Sequence, residues 1–181
     1  DFKMTELGPI PKDWEVKRLG DCCTKIGSGA TPTGGASVYL QTGVSLIRSQ
    51  NVYNGYFKCE GLAHISDAAA ADLEGVTVCE EDVLLNITGD SVARSTRVPS
   101  NVLPARVNQH VAIIRTRREV LDSCFLQCYL TTPSMQAFML KEASGQGGSR
   151  NALTKGMVSD FQISLPPLPE QRKIAAALSD V

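Results

Sequence analysis

Apolar positions along this chain recur in two rhythms, one of period two and one near 3.6, and the rhythms are grouped rather than interleaved. Trp14 to Leu19 alternates imperfectly and predicts a strand. Val44 to Val52 and Tyr53 to Cys59 predict two more, broken at Asn54-Gly55, a dipeptide that takes positive φ easily and so suits a hairpin turn. Asp82 to Gly89 and Val107 to Thr116 are β-branched and leucine-rich runs bounded by turn residues, as central strands are. Ala93 to Val102 between them reads as a more exposed strand or loop. A short helix is predicted after Ser66, whose hydroxyl can cap it, with Asp67 in its first turn and Gly75 as its stop. Helical spacing returns over Leu121 to Leu130 and Met135 to Ala143, separated at Pro133. Thr154 can cap a further turn, and Phe161 to Leu165 predicts a closing strand. The fold class expected is therefore α+β, a single domain with a mostly β core and short helices.

The chain's 181 residues with 43% hydrophobic content are enough for one sizeable core and short for two. No run approaches the ~20 apolar residues that span a bilayer, and the opening Asp1-Phe-Lys-Met-Thr-Glu lacks a signal-peptide pattern. The expectation is a cytoplasmic protein with no membrane partner. The six cysteines then read as free thiols rather than disulfides. Only Cys124-x3-Cys128 comes near the spacing of a zinc knuckle, and it lies on an apolar helical stretch, so no metal site is assigned.

A formal net charge of −1 argues against DNA binding if read as an average. The average hides a split. Glu60 to Asp90 holds eight acids and no lysine or arginine, whereas Ser91 to Arg118 holds six arginines and no acid. A one-sided field can survive such a neutral total, although arginines pairing with the acidic block would cancel it.

Catalysis is hard to build from these residues. His64 and His110 are the only histidines and form no metal-binding pair. The glycine-rich loop Gly27 to Gly35 lacks the Lys-Ser/Thr of a phosphate-binding loop. Asn86-Ile-Thr-Gly89 is not followed by the Pro-Pro-aromatic of a base-methylating pocket. No catalytic residue and no cofactor is expected. Base reading asks instead for amide and guanidinium groups on loops held by a rigid sheet. Such groups stand at the predicted element ends: Arg48, Gln50 and Asn51; Asn86, Thr88 and Asp90; Arg94 and Arg97; Asn108 and Gln109; and Ser149, Arg150 and Asn151.

The last stretch joins a proline-stiffened strand end to an alanine-rich helix. Pro166 and Pro167 stop the preceding strand, Pro169 fits a first helical turn, and Glu170 sits at the positive end of the helix dipole. Ile174, Leu178 and Val181 share one stripe and are the expected subunit-interface residues, since a helix of about twelve residues is marginal alone. Leu165-Pro-Pro-Leu-Pro-Glu-Gln-Arg-Lys-Ile-Ala175 resembles the junction at which a target recognition domain passes into a spacer helix in the specificity (S) subunits of type I restriction-modification systems. Gly8 to Gly20, Ser28 to Pro32, Leu46 to Val52, Leu85 to Gly89, Val107 to Val111 and Gly147 to Arg150 resemble that domain's other segments, in the right order.

The resemblance implies a recognition domain over 1–167 and the start of a coiled-coil-type spacer over 168–181. It also implies a non-catalytic, DNA-binding role in which the chain reads one half of a bipartite target. The partners implied are double-stranded DNA, methyltransferase (M) subunits, a restriction (R) subunit reached through the complex, and a second recognition domain or second copy of the chain. Two alternatives stay open from the residues: the recognition domain of a fused restriction-methylation enzyme, and a structural protein-interaction domain. Within the resemblance, the segments Val52 to Glu60 and Ser91 to Arg106, with Arg48 to Asn51 at their edge, are the expected specificity loops.

Overall fold

A computed structural model of the chain describes residues 1–145 and 151–179. Its strands are β1 (Phe2–Thr5), β2 (Gly8–Pro11), β3 (Glu15–Arg18), β4 (Cys23–Ser28), β5 (Val44–Ile47), β6 (Val52–Tyr53), β7 (Tyr56–Phe57), β8 (Ala63–Ile65), β9 (Thr77–Val78), β10 (Val83–Asn86), β11 (Ser95–Arg97), β12 (Ala105–Val107), β13 (Val111–Thr116) and β14 (Gln162–Leu165). Its helices are α1 (Asp67–Asp72), α2 (Ser123–Leu130), α3 (Pro133–Ser144), α4 (Lys155–Asp160) and α5 (Leu168–Ser179). The class is α+β, as the grouping of the two rhythms predicts.

Two four-stranded sheets form the centre, one antiparallel in the order β11-β10-β13-β4, the other mixed in the order β8-β5-β12-β9. Side-chain alternation along a strand decides what each face covers. On β10, Val83 and Leu85 face a core shared with α2, α3 and α4, whereas Leu84 points the other way, toward the second sheet. On β13, Ala112 and Ile114 join the helices while Val111 and Ile113 meet Ile47 and Val107 between the sheets. Leu46 and Ile65 on the outer face of the second sheet pack against Ala70 and Leu73 at α1. The layers therefore run helices, sheet, sheet, helix.

The run Val107 to Thr116 is not one strand. It is cut at Asn108-Gln109-His110 into β12 and β13, which belong to different sheets. Asn108 makes the turn, its side-chain oxygen accepting the His110 N–H at 3.1 Å and its carbonyl accepting the Val111 N–H at 3.2 Å. Gly29 fits into the gap opened there. Its N–H reaches the Val111 carbonyl at 3.0 Å, and a β-carbon on it would stand 1.9 Å from the Val107 carbonyl oxygen, so no larger residue fits.

Other expectations also shift. Ala93 to Val102 is less exposed than its polarity suggests: β11 pairs with β10, and Ser95 and Thr96 are buried under α2. Gly27 and Ser28 belong to β4, which pairs with β13, and the glycine-rich loop begins only after them. The run Val44 to Val52 leaves its sheet after Ile47, but the Asn54-Gly55 turn forms as predicted between β6 and β7, with Gly55 at φ +81°.

The two end segments meet. β3 pairs antiparallel with β14, and the Trp14 indole N–H donates to Glu170 in the first turn of α5 at 3.2 Å. α5 rests on α2 through Ala175 and a fully buried Gln171, and Ile174 packs partly against the main core. The apolar edge of this helix thus has cover within its own domain at Ile174, while Leu178 is 55% exposed. Val181 lies outside the described residues.

Candidate nucleic-acid interface

A single open groove of about 840 Å³ gathers side chains from four distant segments. Gln50 comes from the turn after β5, Thr88 and Asp90 from the end of β10, Arg94 from the turn before β11, and Asn151 from the strand-like segment that follows α3. Backbone bonds tie these together: Thr88 bridges Ala152, and the Gly89 N–H donates to the Asn151 carbonyl at 3.0 Å. Five of the residues expected to contact DNA therefore share one surface.

The others do not. Asn51 is fully buried, its oxygen accepting the Arg48 N–H at 3.0 Å and its amide donating to the Lys58 carbonyl at 2.9 Å. Asn86 is also fully buried, donating to the Ser49 carbonyl at 2.9 Å and to the Ser91 hydroxyl at 3.1 Å. Both hold the groove's wall in shape and neither can reach a base, which corrects their assignment as readers. Arg48 lies over the Tyr39 ring at 5.1 Å and donates to the Gly61 carbonyl at 2.7 Å, outside the groove. Arg97 lines a different depression, beside Pro99 and Gln127. Ser149 and Arg150 lie outside the described residues.

Tyr53 and His110 also line the groove, although sequence did not single them out as readers. Tyr53, next to the Asn54-Gly55 turn, carries the Arg94 guanidinium over its ring at 4.8 Å. His110 comes from the turn between the two sheets, and its Nδ1 lies 2.6 Å from the Thr88 hydroxyl while its Nε2 faces the Gln109 amide at 3.2 Å. An aromatic beside a hairpin turn was the available signal for Tyr53. For His110 there was none beyond its place in a resembling segment.

Half of the arginines in the basic stretch are spent on the fold. Arg115 donates through Nε and Nη2 to the two carboxylate oxygens of the fully buried Asp82, each at 2.8 Å, and that carboxylate raises the guanidinium's already high pKa. Arg118 pairs with Glu81 at 3.0 Å, and Arg106 donates to the Ala70 carbonyl of α1 at 3.0 Å. Arg94 has no carboxylate within ion-pair distance among the described residues.

Residues 11–181 match the model of the type I restriction modification DNA specificity domain. The chain belongs to that family. The MjaIX specificity subunit of a type I restriction enzyme from Methanocaldococcus jannaschii is 26% identical to it over 181 residues, which cover 99% of this chain and 40% of that protein. The MjaVIII specificity subunit of the same organism is 23% identical, covering 99% and 38%. Among solved structures, the HsdS subunit from Thermoanaerobacter tengcongensis superposes with a TM-score of 0.66 at 21% identity, over 99% of this chain and 39% of that one. The type IIG endonuclease BpuSI shares the fold at a TM-score of 0.61 with 11% identity, over 92% of this chain and 26% of that one. The specificity domain thus spans about two-fifths of the length of these curated relatives.

Proposed function

We propose that this specificity domain binds double-stranded DNA at the groove lined by Gln50, Thr88, Asp90, Arg94 and Asn151, and reads one half of a bipartite target without doing chemistry on it. Family membership supports the role, and the gathering of base-reading side chains from separate loops onto one face is the observation that carries the site. The groups are amide, hydroxyl, carboxylate and guanidinium, the donors and acceptors that base edges discriminate. Methylation and cleavage then belong to methyltransferase and restriction subunits that the domain brings to the target in the cytoplasm. α5 would begin the helical spacer that sets the distance to a second recognition domain or second copy of the chain, advancing ~1.5 Å per residue. Leu178, exposed on this helix, would meet that second helix.

Gel shifts with labelled random-sequence duplexes, alongside transfer of labelled methyl groups, test this reading. The expected result is salt-sensitive duplex binding that Asn151→Ala weakens, with no methyl transfer by the chain alone. Failure to bind duplex at low salt, or methyl transfer by the purified chain, refutes it.

A further inference from the structure

Resting on that DNA reading, we propose that the groove reads a G·C-containing step from the major-groove side, with Arg94 donating to guanine O6 and N7, Asp90 accepting from the cytosine N4 amine, and Tyr53 acting as the positioning residue for Arg94.

The groove holds opposite charges that do not neutralise each other. Arg94 and Asp90 both line it, and neither takes part in an ion pair among the described residues. Arg106, Arg115 and Arg118 of the basic stretch are held by a carboxylate or a backbone carbonyl, whereas Arg94 has no carboxylate partner among the described residues and lines the groove. A phosphate cradle would not place an exposed carboxylate beside its cation, because the carboxylate repels the backbone it must approach. A G·C pair has the matching polarity. Guanine offers two acceptors suited to the arginine fork and cytosine an amine suited to a carboxylate, whereas an A·T pair has no second acceptor on the purine for the fork.

Arg94 is also held as a reader must be. Its guanidinium lies over Tyr53, whose ring is stacked on Tyr56 at 4.8 Å and 19°, so one face of the guanidinium is covered while its edge stays open. Both supports are fixed to the sheet. Asn54, in the hairpin turn, accepts the Ser95 N–H at 3.0 Å and donates to Gln136 of α3 at 3.0 Å, and Gln136 in turn donates to the Ala93 carbonyl at 2.9 Å. Ala93, fully buried at φ +74°, donates to the Asn86 carbonyl at 2.9 Å, and the Arg94 carbonyl accepts from the Asn86 N–H at the same distance. A side chain on cross-tied turns loses little freedom on binding, which favours geometric discrimination over loose attraction.

The experiment is a selection from a pool of random duplexes by the 181-residue chain, followed by binding to the enriched sequence with 7-deazaguanine placed at each guanine in turn. Loss of N7 at one guanine removes one of the two bonds of the fork and should weaken binding about 2- to 12-fold, roughly half in free energy of a bidentate base contact. With Arg94→Ala that substitution should no longer matter. Tyr53→Phe should keep the preference for guanine, Tyr53→Leu should relax it at that position with the salt dependence unchanged, and Asp90→Ala, which removes the acceptor for the cytosine amine, should weaken the preference for that G·C pair. An enriched sequence indifferent to 7-deazaguanine, or a preference that survives both Arg94→Ala and Tyr53→Leu, overturns this assignment while leaving DNA binding intact. A pool from which nothing is enriched overturns the DNA reading and this inference with it.

Discussion

Gln171 ties α5 to the rest of the fold, and its removal is the sharpest test of that contact. The side chain is fully buried. Its amide donates to the Val120 carbonyl at 3.0 Å and to the Pro166 carbonyl at 2.9 Å, and its oxygen accepts the Asp122 N–H at 2.8 Å. One residue therefore ties the helix to the prolines before it and to the N-cap of α2, where Asp122 itself accepts from Cys124 and Phe125. Gln171→Met keeps most of the volume and deletes all three bonds. At about 1 kcal/mol net for each bond the loss is about 3 kcal/mol, and more where a stranded backbone group finds no water. With an unfolding slope of about 2 kcal/mol per molar urea, the midpoint should fall by about 1.5 M. Urea titration followed by tryptophan fluorescence suits the measurement, because Trp14 reports on the Glu170 end of the same helix. A midpoint lowered by less than roughly 0.3 M would correspond to well under 1 kcal/mol, and would mean that the Gln171 bonds do not hold α5.

Gly29→Ala should cost about 3 kcal/mol, at the upper end for overpacking, because its β-carbon would be driven into the Val107 carbonyl at 1.9 Å. Equal thermal midpoints for variant and parent would refute the close approach. Burial raises the Cys22 thiol pKa and pushes that of Cys23 up to about 12 from 9.0. A group whose folded pKa is raised stabilises the fold fully below its unfolded value and loses that contribution as pH rises through the folded one, so stability should fall from about pH 9 toward 12. Cys23→Ala should flatten that fall, and a thiol reagent at pH 8 should modify exposed Cys59 and Cys79 while Cys22 and Cys23 react only on unfolding.

Local chemistry is what the sequence by itself determined. Asn54-Gly55 forms its hairpin because a two-residue turn is decided by the backbone freedom of the residues in it. Ser66 caps α1 by accepting the Ala69 N–H at 3.2 Å, and Thr154 caps α4 by accepting the Met157 N–H at the same distance, both reading out a hydroxyl three residues from its donor. The family that the quoted segments resemble is the one whose model matches residues 11–181. What sequence could not decide was which face or sheet each residue would join. Val107 to Thr116 keeps one apolar rhythm throughout, yet Gly29 and Asn108 divide it between two sheets. That division depends on a contact about eighty residues away, which no local pattern encodes. Asn51 and Asn86 have the side chains of base readers, and only tertiary packing turned them inward to satisfy buried carbonyls. The groove exists for the same reason. Gln50, Arg94 and Asn151 are separate loop residues in the chain, and they become one surface because the sheets and α3 bring three distant turns to the same edge.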